Sequence, residues 1–96
     1  MQKTYISFEL ANGETRTVRL TMREKIGGET IARHGGWSME QNQIKLQAVW
    51  AWLAAKNLNL TTAKFEDFME KELVDAVAVM EDTSEDLVEE NPTLPA

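Results

Sequence analysis

Thr4 and the apolar Ile6, Phe8 and Leu10 alternate on one side of the chain, and Val18 and Leu20 alternate again beyond Ala11-Asn12-Gly13. A period of two predicts half-buried strands joined as a β-hairpin over Lys3 to Leu20. The register follows from keeping the apolar residues together. A two-residue Asn-Gly turn would pair Ser7 with Val18 and put the apolar sets on opposite faces. A three-residue loop with Gly13 left-handed pairs Thr4 with Leu20, Ile6 with Val18 and Phe8 with Arg16, so a bulged turn is expected. A lone hairpin is marginal in water and must lie on a helix.

The period then lengthens. Thr21-Met22-Arg23-Glu24 matches a capping box and opens a helix whose Met22, Ile26, Thr30 and Arg33 share a face. Gly27-Gly28 inside it either weakens or breaks the helix or permits close packing beneath a tryptophan, and Gly35-Gly36 stops it. Ser38 to Asn57 predicts the central helix, capped by Ser38 and apolar on two sides. Met39, Leu46, Val49, Trp50 and Leu53 form one face; Ile44, Ala48, Ala51, Trp52 and Ala55 form the other. Such a helix must be covered on both faces, by its own domain or by a partner. A last helix is expected from about Ala63 to Met80, with Phe65, Met69, Leu73, Ala76 and Met80 in one stripe. The fold class is α+β: an N-terminal β-hairpin packed on about three helices, in one domain over residues 1–80.

Charge divides the chain. From Glu81 onward there are six acids and no base, and the ten remaining acids balance ten Lys and Arg, so the whole net charge of −6 sits in the last segment. Residues 81–96 read as a disordered acidic tail tipped by NPTLPA. Its readings are a solubilising tail, a nucleic-acid mimic, or a shield for a binding surface. Residues 1–64 carry nine bases against five acids, which a mobile anionic tail would visit. An acidic chain without a basic cluster is a poor binder of nucleic acid or anionic membrane. No signal peptide or membrane-length apolar run is present, and a cytosolic protein is expected.

Chemistry is sparse. There is no cysteine, and His34 is the single histidine, expected to favour the negative end of a helix dipole. The series Glu66, Asp67, Glu70, Glu72 and Asp75 reads as the solvated face of a helix. Phosphate-loop, dinucleotide and EF-hand patterns are absent. No catalytic, cofactor-binding or metal residue is expected, and the protein is read as not an enzyme. The candidate site is a partner-binding face made of Ile44, Ala48, Ala51, Trp52 and Ala55, edged by Phe68 and Val74. Its alanines would let a guest helix approach closely, with anchors at i, i+3, i+4 and i+7. Either the last helix covers Trp52 or a partner does, and self-association through the same face would give a homo-oligomer.

In order along the chain come the hairpin, a TxxEK helix start (Thr21, Glu24, Lys25), an AR.GGW segment (Ala32 to Trp37), a Trp- and Ala-rich helix, an FEDF start (Phe65 to Phe68) and an acidic, proline-tipped end. This series resembles the small tail assembly chaperones of long-tailed bacteriophages and prophages. The resemblance implies a non-enzymatic protein of the bacterial host cytoplasm, absent from the mature virion. It implies binding to the helical, aggregation-prone tape measure protein before the tail tube polymerises, and in many phages a frameshifted longer form. It supplies no catalytic residues. The alternative from another class is a small acidic adaptor or anti-repressor, or a nucleic-acid mimic, that binds one folded partner.

Overall fold

A computed structural model describes residues 2–82. The fold is α+β, with strands β1 (Gln2–Leu10) and β2 (Thr15–Leu20), helices α1 (Met22–Gly35) and α2 (Gln43–Asn57), a short turn α3 (Phe65–Asp67) that widens into a π-helical turn (Phe68–Glu72), and strand β3 (Leu73–Asp82). The sheet is antiparallel in the order β2-β1-β3.

The hairpin takes the expected register, with Thr4 opposite Leu20, Ile6 opposite Val18 and Phe8 opposite Arg16. Its loop closes through Leu10 N–H to Glu14 O (2.8 Å) and Gly13 N–H to Leu10 O (2.9 Å), with Gly13 at φ 92°. Only a residue tolerant of the left-handed region turns the chain there without strain. Thr4, Ile6, Phe8 and Leu10 are buried on the helix-facing side.

The helix expected over residues 63–80 is corrected. Helical backbone ends at Glu72, and Leu73–Asp82 is a strand paired with β1, Tyr5 opposite Val79 and Ser7 opposite Val77. Two causes act together. Val74, Val77 and Val79 are β-branched and suit a pleated strand. The central strand β1 also has backbone groups on its far side that need partners. The π turn keeps Phe68 fully buried while swinging the chain into the sheet. The acidic series Glu66 to Asp75 is therefore not one helical face, because Asp75 lies in β3. Of the tail expected over residues 81–96, Glu81 and Asp82 complete β3 and the remainder lies outside the described residues.

Helix α2 starts five residues after Ser38, with Asn42 at its N-cap position, and ends at Asn57 as expected. Residues 38–41 are polar except for Met39 and make a turn instead; Asn42 Nδ2 donates to the Ser38 carbonyl at 2.8 Å. The alanine face of α2 lies on the sheet. Ala51, Ala54 and Ala55 form one core cluster with Ile6, Phe8, Leu10, Leu20 and Phe68. The opposite face, with Leu46, Val49 and Trp50, meets α1. Trp50 is half-buried rather than a core centre; the fully buried residue there is Val49.

Helix α1 is continuous through Gly27-Gly28 and ends at Gly36, which has φ 72°. Its buried residues are Glu24, Gly28 and Ala32, leaving Met22 and Ile26 exposed. The reason is closeness of approach. A Cβ on Gly28 would lie 2.8 Å from Trp50 Nε1 and 3.2 Å from Leu46 Cδ1. The glycine is the notch into which the tryptophan fits. At the start of α1, the Thr21 amide (2.8 Å) and hydroxyl (2.7 Å) both donate to Glu24 Oε1, while Asn57 Nδ2 donates to Glu24 Oε2 at 2.9 Å. This carboxylate ties the first turn of α1 to the last residue of α2. Burial alone pushes its pKa up. The Thr21 hydroxyl, the Thr21 and Glu24 amides and the Arg23 charge outweigh that, so the group titrates below the ordinary glutamate range.

Two predictions follow from these contacts. Gly28→Ala should lose about 1 kcal/mol, because overpacking against the indole exceeds the helix-propensity gain. Gly27→Ala, which meets only the Leu53 Cδ1 methyl at 3.2 Å, should be neutral or stabilising. Urea melts ranking Gly28→Ala at or above wild type would contradict the notch. For Glu24, a lowered folded pKa means its stabilisation is present above the ordinary glutamate value and lost as pH falls through the folded one. Glu24→Gln should therefore be less stable than wild type by about 1 kcal/mol at pH 7, with the two melting curves converging in acid.

Candidate docking surface

The face expected to bind a partner is taken apart by the fold. Ala51, Ala55 and Phe68 are 0% exposed and belong to the core, because the small side chains that would admit a guest helix admit the sheet instead. Trp52 is covered from within. Its Nε1 donates to the Ala63 carbonyl at 2.9 Å, its ring meets Phe65 edge-on at 5.7 Å, and Lys56 Nζ lies 4.4 Å from the ring centroid. Ala63 in the loop and Phe65 in α3, both at the start of the segment expected as the last helix, supply the first two contacts, and Lys56 comes from α2 itself.

Three of the expected residues do converge on the surface. Ile44, Ala48 and Val74 line a groove of about 470 Å³ with Met69, Leu73 and Ala76, where the first turns of α2 overhang the start of β3. Ile44 is 83% exposed and Val74 58%, while Ala48 forms the buried floor. Val74 owes its position to a bulge. Leu73 pairs with Leu10 and Asp75 with Glu9, so Val74 is the extra residue that bends the strand. Lys45 and Asp75, of opposite sign, sit at the rim.

On the other flank of α2, a second groove of about 520 Å³ is lined by Met22, Ile26, Met39, Leu46 and Trp50, with Lys25, Glu29 and Glu40 around it. Residue periodicity alone did not point here. The signal that would have done so is Gly28, which draws α1 onto Trp50 and leaves its larger side chains as a wall. Both grooves contain methionine, whose unbranched side chain adapts to differently shaped apolar partners. The outer sheet face is mixed, with Tyr5, Ser7 and Thr17 beside Val79.

His34 is exposed in the last turn of α1, and among the described residues no group of three or more His, Cys, Asp or Glu could hold a metal ion. No helix among them is long and apolar enough to cross a membrane. Trp50 Nε1 is buried without a hydrogen-bond partner, pressed against the Gly28 notch. Both grooves offer mainly apolar contact. No protein-family model, curated protein or solved structure matches the chain.

The surface and core parts of the expected face separate under mutation. Ala51→Glu should unfold the domain or cost about 4 kcal/mol or more, since it buries a charge with no partner. Ile44→Asp should change stability by no more than about 0.5 kcal/mol. Chemical denaturation of both variants checks this, and a stable Ala51→Glu protein would return that face to the surface.

Proposed function

We propose that this protein is a non-enzymatic tail assembly chaperone that holds apolar helical segments of a tape measure protein in solution before tail tube assembly. The observation that carries the reading is the open groove of Ile44, Ala48, Met69 and Val74 between α2 and β3. Exposed contiguous apolar surface on a small domain marks an interaction site. The methionines favour several related partners over one tightly fitted surface. The ordered resemblance of the hairpin, TxxEK, AR.GGW and FEDF segments to that chaperone family supplies the identity of the guest. The net charge of −6 keeps a protein with exposed apolar grooves, and its complexes, apart. The protein acts in the bacterial cytoplasm, where the tail is assembled.

The test is co-expression with a fragment of a phage tape measure protein, reading the soluble fraction. Wild type should raise it several-fold, and Ile44→Asp combined with Met69→Ser should abolish the gain while the domain stays folded. A protein that leaves such fragments insoluble and binds one folded protein tightly is instead a regulatory adaptor.

A further inference from the structure

Resting on that reading of the groove, we infer that Gln47, assisted by Asp75, decides which kind of partner it admits. The pair closes the free edge of β3 to extended strands and leaves the groove to helices. Among the described residues, β3 has β1 on one side and no strand on the other. Hydrogen-bonding direction alternates along a strand. Leu10 bonds toward β2, so the odd-numbered residues of β1 and β3 face each other, and the amides of Ala76 and Ala78 point to the open edge. Both are already satisfied. Ala76 N–H donates to Asp75 Oδ1 and Ala78 N–H to Gln47 Oε1, each at 2.8 Å.

β3 would otherwise suit strand addition. Leu73–Asp82 spans ten residues with three valines and has none of the lysine or proline that commonly blunts an edge. The opposite edge is guarded differently: β2 is six residues long and carries Arg16 and Arg19. Gln47 lies in the Ile44, Ala48, Ala51 stripe of α2, where packing alone would call for an apolar residue. It is held at both ends, its Nε2 donating to the Gln43 carbonyl at 3.2 Å. Its oxygen occupies the place that the carbonyl of an added strand would take. An incoming strand must displace it and leave a half-buried amide unpaired. A helix arrives with its backbone hydrogen bonds already made and needs only to seat side chains against Ile44, Ala48, Met69 and Val74. A second copy's β3 is disfavoured as well, since antiparallel pairing centred on Ala78 sets Asp75 against Glu81.

The experiment uses the full chain and two probes: an amphipathic helical peptide with leucines at i, i+3, i+4 and i+7, and an extended peptide alternating valine with lysine. Wild type and Gln47→Glu, which keeps an acceptor oxygen, should bind the helical peptide at least about tenfold more tightly than the extended one. The double variant Gln47→Leu with Asp75→Ala should bind the extended peptide about tenfold more tightly than wild type does. The Ala78 amide of that variant should also lose hydrogen-exchange protection. If Gln47→Leu unfolds, Gln47→Lys also lacks an acceptor and supplies the comparison. A folded double variant that still refuses the extended peptide, or a wild type that accepts it as readily as the helix, overturns the gate. If wild type takes neither peptide while the double variant gains the extended one, the gate stands and the chaperone reading falls.

Discussion

The seating of three α2 alanines on the sheet is the contact on which the rest of this structure depends. Ala51, Ala54 and Ala55 present little more than backbone and methyl groups, so the helix comes down close over Ile6, Phe8, Leu10 and Leu20. The sheet supplies the volume and the helix supplies the flatness, a division that fills space without strain. Because that face is spent internally, the other face of α2 must be covered by something else. Gly28 lets α1 do so by receiving the indole of Trp50. Glu24, bonded to both Thr21 and Asn57, then fixes the angle at which the two helices meet.

β3 follows from the same arrangement. Once β1 lies under α2 as the middle of the sheet, its free side needs a strand, and the chain leaving Phe68 is the segment positioned to provide it. The π turn resolves the conflict between burying Phe68 and starting a strand at Leu73. Joining α2 to β3 in this way leaves an apolar notch where the helix overhangs the edge, and the bulge at Val74 widens it. The candidate docking surface is thus a consequence of how the sheet was completed. Beside it the half-buried Gln47 of α2 accepts from the edge amide of Ala78.

Features governed by a few neighbouring residues were legible in the sequence. The bulged Asn12-Gly13 turn and its register, the Thr21–Glu24 cap, the stop at Gly36 and the end of α2 at Asn57 each depend on local sterics or hydrogen bonds that a short stretch contains. The two-sided apolar character of α2 was legible too, because a period of 3.6 is a property of the stretch itself. So was the α+β class, which needs only the hairpin and the two helices that follow it.

What covers each face of α2 was not contained in any stretch. Ala48, Ala51 and Ala55 look the same whether a guest helix or the protein's own sheet rests on them, since a methyl surface does not encode its partner. Residues 73–80 carry both a helical stripe and a β-branched alternation, and the unpaired side of β1, more than sixty residues earlier in the chain, decided between them. That choice moved Phe68 into the core, left Val74 outside and brought it beside Ile44, so the candidate site changed with it. Local hydrogen bonds and sterics were the sequence's to determine; the allocation of apolar surface among distant segments was settled only when tertiary structure brought them into competition.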